Sequence, residues 1–361
     1  MNRFPSVLGS LTVAALLAGC PGKDEDTDTD PVGCDSAPGC VVAEELAAGL
    51  LSVRVVADDD VWIVGASPEP SDGTGPVAVQ WDGTAWNRVD TSAYDGTEIW
   101  WTWVTASEAV FVGSQGLVLE LDRGTGTLTR VTGPDAGITF FGVWGASGDD
   151  LWAVGMSAGG SGPPALWRRQ AGTWAAWEDP VLGPGADGET YFKVHGTAAN
   201  DVWIVGDNGI ALHWDGAALV RVPTDAQAST ATAPLLTVDV GGTRPVAVGG
   251  AGNGLVLEYD GTDWLDLSPA FVPGFNGVCS GPGGAAVAVG QYGLRAIRQS
   301  DGSWASASEL SLTPLTQEDW HSCAISPSGA VWAVGGHISS RPLDAGVVSY
   351  QGPNEPLPLS L

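Results

Sequence analysis

The dipeptide Val-Gly recurs at nearly constant spacing, with its glycine at Gly65, Gly113, Gly155, Gly206, Gly249, Gly290 and Gly335. Seven copies across 270 residues leave six intervals with a mean of 45 residues. Around each anchor the chain repeats one order: a short apolar run, a polar turn, a run ending in Val-Gly, a variable loop, a third run, a Gly turn and a fourth run. A small four-stranded sheet buries its faces only against neighbouring copies, so a period of this length marks a β-propeller. The repeat predicts an all-β fold, a seven-bladed β-propeller of four-stranded antiparallel blades over residues 41–361. With 52 Gly and 24 Pro in 361 residues, long helices are disfavoured as well.

The segments have strand character. Asp60-Val61-Trp62-Ile63, Asp150-Leu151-Trp152-Ala153, Asp201-Val202-Trp203-Ile204 and Ala330-Val331-Trp332-Ala333 precede Val-Gly and are rich in β-branched and aromatic residues. Asp82-Gly83, Asp215-Gly216, Asp260-Gly261 and Asp301-Gly302 fall between third and fourth strands, where Asp-Gly supplies the positive φ of a tight hairpin. Segments such as Val205-Gly206-Asp207-Asn208-Gly209 through Trp214-Asp215-Gly216 resemble the repeats of bacterial BNR-like propellers and of the photosystem II assembly-factor family. That resemblance implies the propeller fold, and by itself also a role as an assembly factor. The Asp-Gly turn is a shortened form of the sialidase Asp-box, but the arginine triad and Tyr nucleophile of those enzymes cannot be placed here. Trp81-Asp82 and Trp214-Asp215 are similar to the WD dipeptide, without its Gly-His partner.

Aligning each inner strand on the Val two places after a large apolar residue puts Val53, Trp103, Val143, Val194, Val238, Val278 and Cys323 in one row. The row before it reads Ser52, Thr102, Gly142, Lys193, Thr237, Gly277 and Ser322, small where strands crowd the axis, with Lys193 the exception. The row after it reads Arg54, Val104, Trp144, His195, Asp239, Cys279 and Ala324. A uniform position in a repeat reports packing, and a position broken by charge or a titratable group reports something specific to one blade. Arg54, Lys193, His195 and Asp239 are therefore candidate binding residues, with Trp144 and Trp101 beside them. The connections from strand two to three and from strand four to the next blade share one face and vary in length, from Ser114–Gly116 to Ala66–Pro76, Asp179–Thr190 and Pro223–Pro234. Variable loops on a rigid scaffold are where binding sits. Trp100, Trp101, Phe140, Tyr191, Phe275 and Trp320 border that face, most of them expected in the core and some lining a groove.

Chemistry motifs are sparse. Gly155-Met156-Ser157-Ala158-Gly159 has the serine-hydrolase spacing but leads to a strand rather than a helix, the four His have no metal-ligand spacing, and no phosphate loop opens a helix. No catalytic residue, metal or cofactor is assigned. With 42 Asp plus Glu against 14 Lys plus Arg, a net charge of −28 excludes nucleic acid as a partner.

Residues 1–19 carry Arg3, an apolar stretch and a small-residue exit, the pattern of an export signal. Leu17-Ala18-Gly19-Cys20 resembles the bacterial lipobox, which implies an acylated Cys20 at the mature N-terminus, and Pro21 in place of Asp favours the outer membrane by resemblance to enterobacterial sorting. Residues 20–40 read as an acidic flexible tether; Asp24, Asp26, Asp28 and Asp30 alternate like calcium ligands, but Thr29 and Pro31 break that loop pattern. Beyond residue 40, 36 acids face 12 Arg plus Lys, so the propeller itself stands at −24. The remaining cysteines are assigned as Cys34–Cys40 and Cys279–Cys323, the latter on inner strands of adjacent blades one register place apart, where side chains leave facing sheets. The chain is thus read as a monomeric, non-catalytic envelope lipoprotein that binds a protein or glycan on the variable-loop face and touches the membrane only through its lipid. The alternative is a carbohydrate-active, glycosidase-like enzyme, which requires paired carboxylates around His195 and Asp239. Either Leu357–Leu361 or Cys40–Ala43 supplies the last outer strand.

Overall fold

A computed structural model describes residues 34–177, 188–224, 233–353 and 355–361. The signal segment, Cys20, most of the tether and the tips of the loops Asp179–Thr190 and Pro223–Pro234 lie outside the described residues. Seven four-stranded antiparallel sheets form seven blades. Their inner strands are Leu50–Ala57, Ile99–Val104, Thr139–Ser147, Tyr191–Ala198, Leu235–Asp239, Phe275–Ser280 and Asp319–Ile325. Each inner strand contacts the next, and that of blade 7 contacts that of blade 1, so the ring is closed.

Closure uses the N-terminal strand. Cys40–Leu46 pairs with Asp344–Gln351 as the outermost strand of blade 7, with Cys40 opposite Tyr350 and Val41 opposite Ser349. Of the two sequence alternatives, the N-terminal one holds, because Cys40–Leu46 reaches the Asp344–Gln351 edge in register. The C-terminal segment instead lies against blade 1, where Trp86 Nε1 donates to Leu357 O at 2.9 Å and Leu359 is buried. The Cys34–Cys40 disulfide (Cα–Cα 4.9 Å) secures the start of the closing strand, and Cys279–Cys323 (5.6 Å) joins the inner strands of blades 6 and 7. Both pairings match the sequence assignment.

The Asp-Gly turns repeat one geometry. Asp82 Oδ1 accepts the N–H groups of Thr84 and Ala85 at 2.9 and 2.8 Å, and Asp215 Oδ1 those of Ala217 and Ala218 at 2.8 Å each. The glycines that follow have φ of +87° and +93°, open to Gly at no steric cost. Between blades the core is aromatic: Trp152 of blade 3 packs against Trp177 and against Trp214 of blade 4, with centroids at 5.2 and 5.6 Å. Arg168 covers this cluster, 4.4 Å from the Trp152 centroid, and pairs bidentately with Asp150 at 2.8 and 3.0 Å. Arg123, Arg169 and Arg298 reach back to Asp60, Glu108 and Glu258 of the preceding blade. These three arginines are thereby committed to pairing between blades.

The Val-Gly anchor has a specific cause. The residue after the glycine donates its N–H to the carbonyl just ahead of the inner strand, as Ala66 does to Gly49, Ser114 to Glu98 and Asp207 to Thr190, at 2.9 to 3.1 Å. That carbonyl lies over the glycine, and a Cβ at any of the seven anchors would collide with it. The pairing then skips one residue of the inner strand. In blade 1, Leu50 pairs with Gly65 and Ser52 with Val64, leaving Leu51 bulged. The same skip bulges Trp100, Phe141, Phe192, Leu236, Asn276 and His321, one residue per blade.

Candidate functional site on the propeller axis

Six bulge residues converge on one cavity. Trp100, Phe141, Phe192, Leu236, Asn276 and His321 line a space of about 350 Å³ at the variable-loop end of the axis, with Gln291, Asp319 and Ile338 at its rim. All six are half-buried, whereas the seventh, Leu51, is fully covered and packs with Leu343 and Ile338. Rings run around half of the mouth: His321 to Trp100 at 5.6 Å, Trp100 to Phe141 at 5.0 Å and Phe141 to Phe192 at 5.8 Å. The volume is at the lower end of the range of about 300–1,000 Å³ usual for small-ligand pockets.

Further along the inner strands a narrower channel of about 80 Å³ continues along the axis. Arg54, Lys193, His195, Asp239, Trp144 and Trp101 all line it, so the structure brings every sequence-derived candidate into one place. Lys193 lines both spaces and marks the boundary between them.

Blade 2 corrects the sequence alignment by one residue. Thr102 pairs with Phe111 as Val53 pairs with Ile63, so Thr102, not Trp103, belongs to the central row. Trp101 pairs with Val112 as Lys193 pairs with Val205, which puts Trp101 in the small-residue row, and Trp103 takes the place given to Val104. The large apolar residue two places ahead of the central row in blade 2 is Trp100, and the adjacent Trp101 satisfies the same rule one place later. The small row therefore has two exceptions, and they meet: Lys193 Nζ sits 4.0 Å from the centroid of the Trp101 ring. Elsewhere the row is packing, since a Cβ on Gly142 would lie 3.0 Å from Lys193 Cα and one on Gly277 2.7 Å from His321 O.

Lys193 is only 3% exposed and donates to Phe141 O at 2.9 Å. Burial pushes its ammonium down to about 7. His321 donates from Nδ1 to Leu51 O, and burial, reinforced by the Lys193 charge, drives it down to about 3, so the ring is neutral with Nε2 left as an acceptor. In the channel, His195 accepts the Val240 N–H on Nδ1 at 3.2 Å. Its pKa is lowered by burial, with Asp239 opposing and Arg54 adding to the shift. Arg54 is likewise lowered by burial, with Asp239 acting against it. Asp239 Oδ1 accepts the Gly241 N–H at 2.7 Å. Among the described residues Asp239 is the only carboxylate lining the channel and Asp319 the only one lining the mouth, where Asp319 Oδ1 accepts the Tyr292 N–H at 2.9 Å.

Four of the aromatics that border this face, Phe140, Tyr191, Phe275 and Trp320, are fully buried between blades, while Trp100 and Trp101 face the axis. Sequence reasoning missed Phe141, Phe192, Leu236, Asn276 and His321. The available signal was a doublet: Phe140-Phe141, Tyr191-Phe192, Leu235-Leu236 and Trp320-His321 place two large residues in succession, which a strand of period two cannot bury on one face without a bulge.

No protein-family model and no curated protein matches the sequence. Among solved structures, the extracellular domain of BT4673 from B. thetaiotaomicron is similar with a TM-score of 0.62 at 12% identity, over 88% of this chain and 40% of that one. This chain thus spans about two fifths of that structure. The WD40 repeats of RRP9 give 0.62 at 10% identity over 86% and 96% of the two chains, and YCF48 bound to D1 peptide gives 0.61 at 12% over 87% and 96%. At such identities the likeness is one of fold. The chain is a seven-bladed β-propeller.

Proposed function

We propose that the protein is a non-catalytic binding scaffold of the cell envelope that takes a segment of a partner protein into the aromatic mouth. In this reading residues 1–19 are removed, Cys20 carries the lipid, residues 20–40 tether a monomeric propeller of residues 41–361 to the outer membrane, and no cofactor takes part. The observation that carries it is the ring of bulge residues. Each blade already buries one large residue at the place before the bulge, such as Phe140 or Tyr191, at 0% exposure. The following Phe141 or Phe192 is surplus to that packing and is held open to a cavity, an arrangement that favours binding over stability. YCF48, of similar fold, is seen with a bound peptide, and two disulfides suit an exported protein. Against the glycosidase alternative stands the single carboxylate that lines the channel among the described residues, since hydrolysis at a glycosidic bond needs two about 5–10 Å apart.

The test selects peptides from a displayed library against the purified protein and measures their affinity by calorimetry, with a glycan array in parallel. Selected peptides should bind Trp100→Ala and Phe141→Ala at least tenfold more weakly than wild type. Equal affinity for wild type and both variants moves the site away from the mouth, and hits on the glycan array alone make the ligand a sugar.

A further inference from the structure

The propeller stands at −24, yet the axis does not share that excess: among the described residues Arg54 and Lys193 line the channel against Asp239, and Asp319 at the mouth already accepts the Tyr292 N–H. Lys193 is the cation that reaches the mouth. An ammonium has three hydrogens to place. One goes to Phe141 O, the face of Trp101 receives the charge on another side, and no carboxylate among the described residues lies within ion-pair distance. A buried cation without a counter-ion is costly, and in a repeat that puts Ser, Thr or Gly at five of the seven equivalent places nothing in the packing demands it.

We infer that the mouth recognises an apolar, ring-sized group joined to a carboxylate, with the ring against Trp100, Phe141 and Phe192 and the carboxylate paired with Lys193 Nζ. The inference rests on the reading of the mouth as a binding site and names the chemistry that the site selects. Asn276 cannot replace the lysine as a charge partner, because its amide is neutral and one of its two hydrogens is already donated to Trp320 O at 2.8 Å. His321 is neutral and offers only an acceptor, so a carboxylate finds its charge partner at Lys193 alone among the residues lining the mouth. The same chemistry is carried by the C-terminal residue of a polypeptide ending in Phe and by a free aromatic acid.

Calorimetric titration of the full-length protein with 3-phenylpropanoate and 3-phenylpropanamide, and with a Phe-terminated peptide as free acid and as C-terminal amide, tests this. At least one acid should bind tenfold or more tightly than its amide, and Lys193→Met should abolish that preference. Preference confined to the peptide pair identifies a chain terminus as the source, and preference in both pairs extends it to free acids. Equal binding of acid and amide by wild type overturns the inference without recourse to any variant, as does the absence of binding by all four. If library-selected peptides still lose affinity in Trp100→Ala while showing no acid preference, the binding reading stands and the carboxylate inference alone has failed.

Discussion

Replacing Lys193 by methionine should stabilise the protein, which is the opposite of what removing a well-packed residue usually does. Burial alone takes the amine from 10.5 to about 7, and at about 1.4 kcal/mol per unit the charged form carries a desolvation cost of about 5 kcal/mol. The hydrogen bond to Phe141 O returns about 2 kcal/mol and the desolvated contact with Trp101 about 2 more. The residue is left about 1 kcal/mol unfavourable. Methionine keeps the unbranched length, places a thioether beside the indole and leaves only Phe141 O without its donor, so Lys193→Met should gain about 1 kcal/mol at neutral pH.

Urea unfolding of the full-length protein at pH 6 and pH 9 measures this. The sign follows from proton counts: a lysine lowered in the folded state is deprotonated there first, so between about pH 7 and 10.5 the unfolded chain holds the extra proton. The lysine's contribution therefore becomes less unfavourable as pH rises through that window, and the gain from Lys193→Met should shrink between pH 6 and pH 9. A variant less stable than wild type by 1 kcal/mol or more at pH 6 would refute the reasoning. It would mean that Phe141 O and Trp101 outweigh desolvation, and that Lys193 is a structural tie across blades 2 to 4.

Cys279→Ser opens a cross-link spanning 44 residues and should lower stability by about 4 kcal/mol in denaturant titration, with a thiol newly reactive at Cys323. Arg168→Lys loses both the bidentate pairing with Asp150 and the flat stack on Trp152, so a cost of about 2–3 kcal/mol is expected in the same assay. Deleting residues 40–46 exposes the edge of Asp344–Gln351, and size-exclusion chromatography should show association in place of a single folded species. Trp100→Ala should leave the thermal midpoint within a few degrees of wild type, because the ring is half-buried, while weakening peptide binding tenfold.

Much of the architecture was legible because a repeat states each constraint seven times. The Val-Gly period gave blade number, strand order and the inner-strand rows, and those rows were accurate enough to pair Cys279 with Cys323. What sequence could not resolve was local competition between equals. Cys40–Ala43 and Leu357–Leu361 are both short and apolar, and the choice between them depends on which end reaches the Asp344–Gln351 edge in register. In blade 2, Ile99-Trp100-Trp101-Thr102-Trp103 offers three indoles in five places, so no hydrophobic pattern singles out one register.

The bulge explains why that ambiguity fell on the site. A regular strand would carry the alternation Ile99 in, Trp100 out, Trp101 in, and the row assignment would follow by counting. The carbonyl over each anchor glycine forces one extra residue into the inner strand, which shifts the alternation by one place and turns that residue toward the axis. The glycine that makes the repeat visible therefore also hides the mouth from a period-two reading. The Lys193–Trp101 pair follows from the same device: both side chains stand one place after a bulge, in blades 4 and 2, and the intervening blade contributes Gly142 to that row and so leaves the space they cross. A side chain larger than Gly at 142 would have to displace Lys193 or Phe192. The cation at the mouth thus depends on a glycine one blade away as much as on the lysine itself.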